Sequence, residues 1–438
     1  MPEKSEQRRK KEERIINILH LSDFHFGIPP EKAEEKEQFK KRYDTILRNL
    51  RITLRNATLS TKIDFVVISG DVAWQAKESG YIEFVEWIDK LLNEDIRVSK
   101  KSVIMCPGNH DFNRGSIDGI EEITKENQKE LNIDNLHKRV APFEFYQKTC
   151  TDIGIEPLKN STEKTKYLYG CRHFSNEGVL FAVFNSAWNE LKDTTAENRW
   201  LGEGPLQDVE DMVSEIRDTE RARYPNDELL VISVFHHPIK KMNDSETFQY
   251  DRNNPTKVNR LRNFLTAMIL SGHTHGKPEE FEFLQEDIAE FIAGSIFSND
   301  SKIFGFEIIS INVDEWECTQ HHGICNGTQW HIDYNVKTAH FRYGKQVEKF
   351  GKQIEKLDEQ QIEELRKNLP PEMKNLPPIV LVKLGLSEGF GQVNYEKRKI
   401  SKKTKITDID QTDNTKKQKS IDLEQKSQEK GIYNIEPK

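Results

Sequence analysis

Short apolar runs rich in β-branched residues recur along the chain up to Leu270 and have the length of buried strands. They occupy residues 15–21, 63–69, 102–106, 179–185, 229–235 and 267–270. Two stretches between them, residues 39–50 and 81–91, instead repeat apolar residues at helical spacing. This alternation predicts an α/β layered domain with at least one buried sheet.

The pattern changes after Gly272, where closely spaced strands follow one another without a helical stretch between them. These predicted strands cover residues 291–296, 304–313, 315–318 and 330–334. They indicate an antiparallel meander that completes a second sheet. Residues 115–166 interrupt the strand series with a polar helical segment, which we interpret as an insertion, either a cap or a lateral addition.

Both ends of the chain lack the pattern of a packed core. Residues 1–14 form a mixed-charge leader, which we expect to be a mobile arm. The folded domain is expected over residues 15–343, followed by a helix and proline-rich linker over 344–390. Residues 391–438 are charged and nearly free of aromatic side chains, so we expect a disordered tail there.

Composition narrows the class of protein. Of the 438 residues, 35% are hydrophobic and 32% charged, and the net charge of -8 gives the whole chain no bulk attraction to nucleic acid or anionic membrane. No apolar run approaches the ~18 residues of a membrane span, and the leader lacks the apolar centre of a signal peptide. Five scattered cysteines, an odd number, favour reduced thiols. We therefore expect a cytoplasmic protein with no membrane partner.

Several predicted strands end in a cluster of short polar residues and glycine. The clusters are Asp23-Phe24-His25, Gly70-Asp71, Gly108-Asn109-His110-Asp111, His236-His237-Pro238 and Gly272-His273-Thr274-His275. Side chains at the carboxyl edges of neighbouring strands converge on one crevice, and the glycines allow close approach of the backbone. Oxygen and nitrogen ligands without cysteine suit a pair of divalent metal ions such as Mn, Fe or Zn.

The order of these motifs, DxH, GD, GNHD, H and GHxH, resembles that of the calcineurin-like metallophosphoesterase superfamily over residues 15–334. The resemblance implies a four-layered αββα sandwich of two mixed β-sheets flanked by helices. It also implies metal-dependent hydrolysis of a phosphodiester or phosphomonoester by a hydroxide that bridges two divalent metals. The substrate is expected to be a phosphoester, and a nucleotide is one candidate.

The resemblance further assigns roles to individual residues. The implied ligands are Asp23, His25 and His275 for one metal, Asn109, His236 and His273 for the other, and Asp71 as the bridge. His110 would contact the phosphate and protonate or stabilise the leaving oxygen without binding metal. Asp111 is expected to orient an imidazole from behind the metal ligands.

Two further stretches resemble the class III cyclic-nucleotide phosphodiesterase branch of the superfamily. They are Gly70-Asp71-Val72-Ala73 and the run from Trp200 to Leu206. Asn185-Ser186 departs from that branch, where many members have an aspartate before the serine or threonine. Because enzymes of this branch cleave cyclic nucleotides, linear nucleotides and simple phosphoesters, the branch does not identify a substrate.

Other candidate groups have a structural interpretation beside the functional one. His20 and His237 are interpreted as structural histidines. Cys318, His321, His322 and Cys325 form a C-x2-H-H-x2-C run that fits either a hairpin tip or a zinc site. Trp74 is placed either to stack on a base or to pack at the crevice rim. Residues 240–260 form either a loop that closes over a substrate phosphate or solvated surface.

Two rival functions share the same motifs. A DNA nuclease of the double-strand-break-repair type would need a nucleic-acid surface, for which the basic run at residues 397–405 is a candidate. The acidic total charge is against that rival. A protein-interaction scaffold of the same fold would be expected to lose ligands, whereas this chain keeps them all. A protein partner that binds the C-terminal tail is compatible with catalysis.

Overall fold

The computed structural model describes residues 14–30, 35–122, 136–191, 199–224, 229–242, 261, 266–284, 288–299, 301–313 and 316–340, without the side chains of 335–340. All of them fall within Met1–Glu348, the first of the two units into which the chain divides. The predicted N-terminal arm up to residue 13, the predicted linker and tail beyond 343, and most of the 240–260 loop lie outside the described residues.

Twelve strands are formed by the described residues: β1 Ile15–Leu21, β2 Phe65–Ser69, β3 Val103–Cys106, β4 Gly170–Phe174, β5 Val179–Val183, β6 Leu230–Val234, β7 Thr266–Ser271, β8 Glu282–Leu284, β9 Ile288–Ile292, β10 Ile303–Asn312, β11 Glu317–Asn326 and β12 Gln329–His340. Their α-helices are α1 Lys36–Ala57, α2 Glu78–Lys90, α3 Glu144–Ile153 and α4 Glu203–Arg223.

The strands form two mixed sheets of six. The first has the order β12-β11-β10-β1-β2-β3, and the second has the order β4-β5-β6-β7-β9-β8. Strands β1, β2 and β3 are parallel, as are β5, β6, β7 and β9, whereas the remaining pairs are antiparallel. The carboxyl ends of the central strands of each sheet therefore lie at one edge.

Side chains along the central strands point alternately to the two faces of each sheet, and this alternation produces the layers of the sandwich. In β2, Phe65 and Val67 belong to the core between the sheets, together with Phe181 of the second sheet. Val66 and Ile68 of the same strand belong to the other core cluster, which includes residues of the helices. Because successive strand residues point to opposite faces, strands covered on both sides read as continuous apolar runs. This arrangement confirms the predicted αββα sandwich.

Helices cover the outer faces of both sheets. Helix α1 buries Tyr43, Ile46, Leu47, Leu50 and Leu54 on one face, at the spacing that the sequence predicts. Its Ile46 carbonyl accepts a hydrogen bond of 2.9 Å from the Trp330 indole of β12, which joins the helix to the first sheet. Helix α4 lies against the second sheet and contributes Val209 and Val213 to the core.

The predicted meander exists but belongs to a different sheet. Strands β10, β11 and β12 pair in antiparallel order, and β10 pairs with β1, with Ile15 opposite Asn312. The meander therefore widens the first sheet, and its assignment to a second sheet is wrong. The strand predicted at 291–296 overlaps only the last two residues of β9, Ile288–Ile292, which runs parallel to β7. Hydrophobic periodicity identifies strands but does not choose their partners across long sequence separations.

The predicted insertion at 115–166 is described except for residues 123–135. Its helix α3 packs beside α2 and buries Tyr146, Cys150 and Ile153. A salt bridge of 2.8 Å joins Lys148 of α3 to Glu78 of α2. This part of the segment therefore belongs to the helical layer.

Candidate metal centre

The loops that leave β1, β2, β3, β6 and β7 bring all eight predicted site residues to one crevice. Asp23 and His25 follow β1, Asp71 follows β2, and Asn109 and His110 follow β3 of the first sheet. His236 follows β6, and His273 and His275 follow β7 of the second sheet. The ligand roles themselves remain predictions, but the convergence on which they depend is present.

One donor group consists of Asp23, His25, Asp71 and His275, whose ligand atoms all lie within 4.8 Å of one another. The His25 Nε2 atom lies 3.2 Å from Asp71 Oδ2 and 3.8 Å from Asp23 Oδ1. The His275 Nε2 atom lies 3.6 Å from the same Asp23 oxygen. Two carboxylates and two imidazoles therefore face a common point.

The second donor group is centred on the Asn109 side chain. Its Oδ1 atom lies 3.0 Å from His236 Nε2 and 3.0 Å from His273 Nδ1. His236 Nε2 is also 3.4 Å from Asp71 Oδ2. One oxygen of Asp71 thus lies within 3.4 Å of an imidazole from each donor group, which is the position that the predicted bridging role requires.

Backbone conformation at these loops is unusual. Asp23, His25 and Asp71 have φ values of 54°, 50° and 54°, a left-handed region that non-glycine residues rarely adopt. Such outliers cluster at functional sites, where the surrounding structure maintains them. At Gly108, a Cβ atom would lie 2.2 Å from Asp71 Oδ1, and at Gly272 it would lie 1.9 Å from Ser22 Oγ. Glycine is therefore required at both positions.

The charged states of the site residues depend on one another. Burial opposes ionisation of Asp71, but the nearby His236 and His110 outweigh it and hold the pKa of Asp71 well below its usual range. Burial also opposes protonation of His236, yet the Asp71 carboxylate raises the pKa of His236 to about 9. Burial lowers the pKa of His110 to about 4. When no cation is bound, protonated His236 therefore balances much of the negative charge of the buried Asp71 carboxylate.

Asp111 does not have the predicted role. Its carboxylate accepts hydrogen bonds from the backbone nitrogens of Val72 and Gly108, at 3.2 and 2.9 Å, and from the Tyr81 hydroxyl at 2.8 Å. No imidazole is among its contacts in the described part of the chain. Burial and the Asp71 charge raise the pKa of Asp111 to about 6. Asp111 therefore joins the loops after β2 and β3, and the prediction that it orients an imidazole is wrong.

The imidazoles are oriented by other groups, which the sequence analysis did not identify. His236 Nδ1 lies 2.7 Å from the carbonyl oxygen of Ser69, and His275 Nδ1 lies 3.1 Å from Ser298 Oγ. A backbone carbonyl leaves no side-chain signature in a sequence. A serine is too common in loops to stand out, so neither partner could have been identified.

Glu290 was also missed. It is a buried carboxylate in the middle of β9, and its Oε1 atom accepts hydrogen bonds from Ile239 N at 2.9 Å and Ser271 Oγ at 3.1 Å. Ile239 lies on the loop that carries His236, and Ser271 is the last residue of β7, two positions before His273, so Glu290 connects the segments that carry both histidines. The available signal was a lone acidic residue inside the apolar run Ile-Ala-Glu-Phe-Ile.

The two histidines interpreted as structural are both buried. His20 is hydrogen-bonded to Glu307 at 3.0 Å and to Ser69 Oγ at 2.9 Å. His237 is hydrogen-bonded through Nδ1 to Ser186 Oγ at 2.9 Å, and its Nε2 lies 3.5 Å from Glu190 Oε1. A ligand atom of His237 also falls within 4.8 Å of those of His236 and His273. His237 is therefore a neighbour of the metal centre rather than a remote core residue.

The cysteine and histidine run after β10 does not form a zinc site or a hairpin tip. All four residues lie within strand β11, and the turn to β12 comes after it. Cys318 packs in the core between the sheets, whereas Cys325 packs in the other core cluster. The strand therefore points the two thiols to opposite faces, where they cannot share an ion.

The sequence profile of the calcineurin-like phosphoesterase family matches residues 16–277, which include every residue of both donor groups. The chain belongs to this family. A curated relative, the uncharacterized metallophosphoesterase-like protein YydB of Bacillus subtilis (strain 168), is 22% identical over 345 residues. That alignment covers 76% of this chain, which spans only 63% of the length of the relative. Family membership supports metal-dependent phosphoester hydrolysis in general.

Solved structures that are similar to this chain include the calcineurin-like phosphoesterase YfkN from Bacillus subtilis, at 12% identity and a TM-score of 0.37 over 74% of this chain and 90% of that one. A single mutant of Vps29 from Entamoeba histolytica shows 11% identity and a TM-score of 0.28 over 74% and 99% of the two chains. Separately, none of the helices in the described ranges has the length and apolar character needed to cross a membrane.

The residues present fit divalent cations. Asp23 Oδ1 is buried and accepts no hydrogen bond from the described residues, although two imidazole nitrogens lie within 3.8 Å of it. An uncompensated buried carboxylate oxygen is costly, and a cation at this point would satisfy it. The convergent donors are oxygens and imidazole nitrogens, which suit Mn, Fe or Zn.

Proposed function

We propose that this protein hydrolyses a phosphoester with two divalent cations held by the seven predicted ligands. The observation that carries the proposal is the position of Asp71 Oδ2, 3.2 Å from His25 Nε2 and 3.4 Å from His236 Nε2. A carboxylate placed between two donor groups is what a pair of neighbouring ions requires. Bound cations would polarise the phosphoryl oxygens and lower the pKa of water toward neutrality.

The protein's own residues would then divide the remaining tasks. The second oxygen of Asp71 holds the carboxylate in place, because Oδ1 accepts a hydrogen bond of 2.7 Å from the backbone nitrogen of His110. The same bond ties His110 to the bridging carboxylate and places its partly exposed imidazole at the crevice. There the imidazole is suited to donate a proton or a hydrogen bond to the leaving oxygen.

The substrate proposed is a phosphodiester or phosphomonoester, and a nucleotide is one candidate. The scaffold rival is disfavoured, because all predicted ligands meet in one crevice. The nuclease rival depends on the basic run at 397–405, which lies outside the described residues. No feature of the described residues favours nucleic acid over a small substrate.

The direct test is hydrolysis by protein reconstituted with Mn, Fe or Zn. Suitable substrates are p-nitrophenyl phosphate, bis-p-nitrophenyl phosphate, cyclic nucleotides, and single- and double-stranded DNA. We expect hydrolysis of at least one small phosphoester that Asp71→Ala abolishes and that Asp44→Ala, an exposed carboxylate on α1, leaves intact. DNA cleavage lost in Asp71→Ala would favour the nuclease, and inactivity on all substrates would overturn the proposal.

A further inference from the structure

The indole ring of Trp74 lies flat against the imidazole ring of His110. The two ring centroids are 4.2 Å apart and the rings are inclined by only 21°. His25 lies 4.8 Å from the His110 ring as well. One face of the Trp74 ring is therefore covered by the His110 side chain. That face is not open for stacking on a base.

The backbone that presents Trp74 is strained. Gln75 and Ala76, which follow it directly, have φ values of 54° and 51° although neither is glycine. This left-handed conformation costs free energy for any residue with a Cβ atom. The Gln75 side chain is exposed, so its own packing does not account for the conformation. The turn is held in place by a hydrogen bond of 2.8 Å from Trp74 N to the Phe26 carbonyl oxygen.

The His110 ring makes no hydrogen bond to the described residues, and it is packed by the rings of Trp74 and His25. The His110 backbone is held by Asp71, but its side chain projects into the crevice and remains partly exposed. Transfer of a proton to a leaving oxygen requires that a ring nitrogen lie within about 3.2 Å of that oxygen, in a fixed direction. A flat aromatic contact restricts rotation of the imidazole about its side-chain bonds.

We propose that Trp74 is a positioning residue that holds the His110 ring in the plane needed to assist the leaving group. The inference rests on the proposed function. In this proposal the strained turn after β2 contributes to the reaction by holding Trp74 against His110. Trp74 itself neither binds metal nor transfers a proton.

A leaving-group comparison separates positioning from general structural damage. Departure of an alkoxide depends on the proton donor, whereas departure of p-nitrophenolate hardly does. We expect Trp74→Leu to lower kcat roughly 10-fold or more for an alkyl phosphoester, a fraction of the full contribution of a general acid. For the p-nitrophenyl ester we expect a change below about 3-fold, and Trp74→Phe should recover much of the alkyl ester activity.

The contact itself can be tested without activity. In histidine-labelled, metal-free protein, the His110 ring protons are assigned by their loss in His110→Gln. Because they lie over an indole face, their resonances should be shifted upfield, and Trp74→Leu should move them downfield. Gln75→Ala changes the exposed neighbour in the same turn and is expected to alter neither the resonances nor the kinetics.

Several outcomes would overturn the inference, and they differ from failure of the proposed function. If the His110 resonances are unchanged in Trp74→Leu, the two rings are not in contact in solution. Equal losses of kcat for both leaving groups, or no loss for either, would leave Trp74 with a packing role only. A wild-type protein that hydrolyses no phosphoester refutes the proposed function, and the positioning role falls with it.

Discussion

The two sheets supply different kinds of side chain to the candidate metal centre. The first sheet provides Asp23, Asp71 and Asn109 together with a single histidine ligand, His25. The second sheet provides imidazoles alone, and its predicted ligands are His236, His273 and His275. All the formal negative charge of the predicted ligand set therefore comes from the first sheet, and the second contributes donors that are neutral when bound to metal.

The difference also extends to how the ligands are fixed. Three ligands of the first sheet, Asp23, His25 and Asp71, have φ near 50°, and His273 of the second sheet has a φ of 69°, so strained backbone occurs on both sheets. Two predicted ligands of the second sheet are held by the first sheet, because His236 Nδ1 lies 2.7 Å from Ser69 O and His273 N donates to Asp23 Oδ2 at 2.9 Å, whereas His275 is held by Ser298. The first sheet thus carries the negative charge and also holds two of the three predicted ligands of the second sheet. This asymmetry predicts unequal effects of mutation on the two sides.

The largest effect is expected for Asp71, the predicted bridge on the first sheet. Asp71→Ala removes the carboxylate that both donor groups share, so we expect both ions to be lost. Activity should then fall by more than roughly 10³-fold, beyond the loss for one electrostatic contact. Metal content after dialysis and turnover would be measured together, with Asp44→Ala as the control. Retention of one full equivalent of metal would show that the two groups bind independently.

A ligand from the second sheet should have a narrower effect. His236→Ala removes one donor from the group around Asn109 and leaves Asp23, His25 and His275 intact. We expect loss of about one of two equivalents of metal and loss of most activity, because both ions act together. Metal titration by calorimetry would count the remaining sites. Loss of both equivalents would mean that the second sheet also organises the first group.

His110 lies on the first sheet but is predicted not to bind metal. His110→Ala should keep the full metal content and slow turnover by roughly 10²-fold, as removal of a general acid does. Metal analysis and kcat with an alkyl phosphoester would check this prediction. Metal loss equal to that of Asp71→Ala would contradict the role assigned to His110.

The smallest effect concerns stability and tests the loops of the second sheet. Burial raises the pKa of Glu290 from 4.5 to about 7. The folded state therefore holds this proton more tightly than the unfolded state. The resulting stabilisation is complete below pH 4.5 and is lost as the pH rises through 7, by about 3 kcal/mol in total.

Replacement of Glu290 by glutamine should remove that pH dependence. The free energy of unfolding of metal-free protein, measured by urea titration between pH 4.5 and 8, should fall with pH more steeply in the wild type than in Glu290→Gln. Glu37→Gln is a control of the same residue type, since Glu37 is exposed in the first turn of α1. Parallel curves for wild type and Glu290→Gln would show that the carboxyl is not protonated on folding.

Several parts of the fold could not be predicted from the sequence. Strand β4 was not predicted, because Gly-Cys-Arg-His-Phe is too polar to read as a buried strand. The pairing of β1 with β10 joins residues almost 300 positions apart, such as Ile15 and Asn312. Such pairing depends on how the whole chain folds back, and the local alternation of residues does not contain it.

What the sequence determined by itself was the local chemistry: strand β1 from Ile15 to Leu21, and eight polar residues at strand ends. These follow from periodicity and from the types and order of neighbouring residues, which are local properties. Only the tertiary structure decided which sheet each strand joins, that Asp111 and Glu290 hold loops, and that Trp74 covers His110. Those facts depend on contacts between distant segments, for which the chain carries no local pattern.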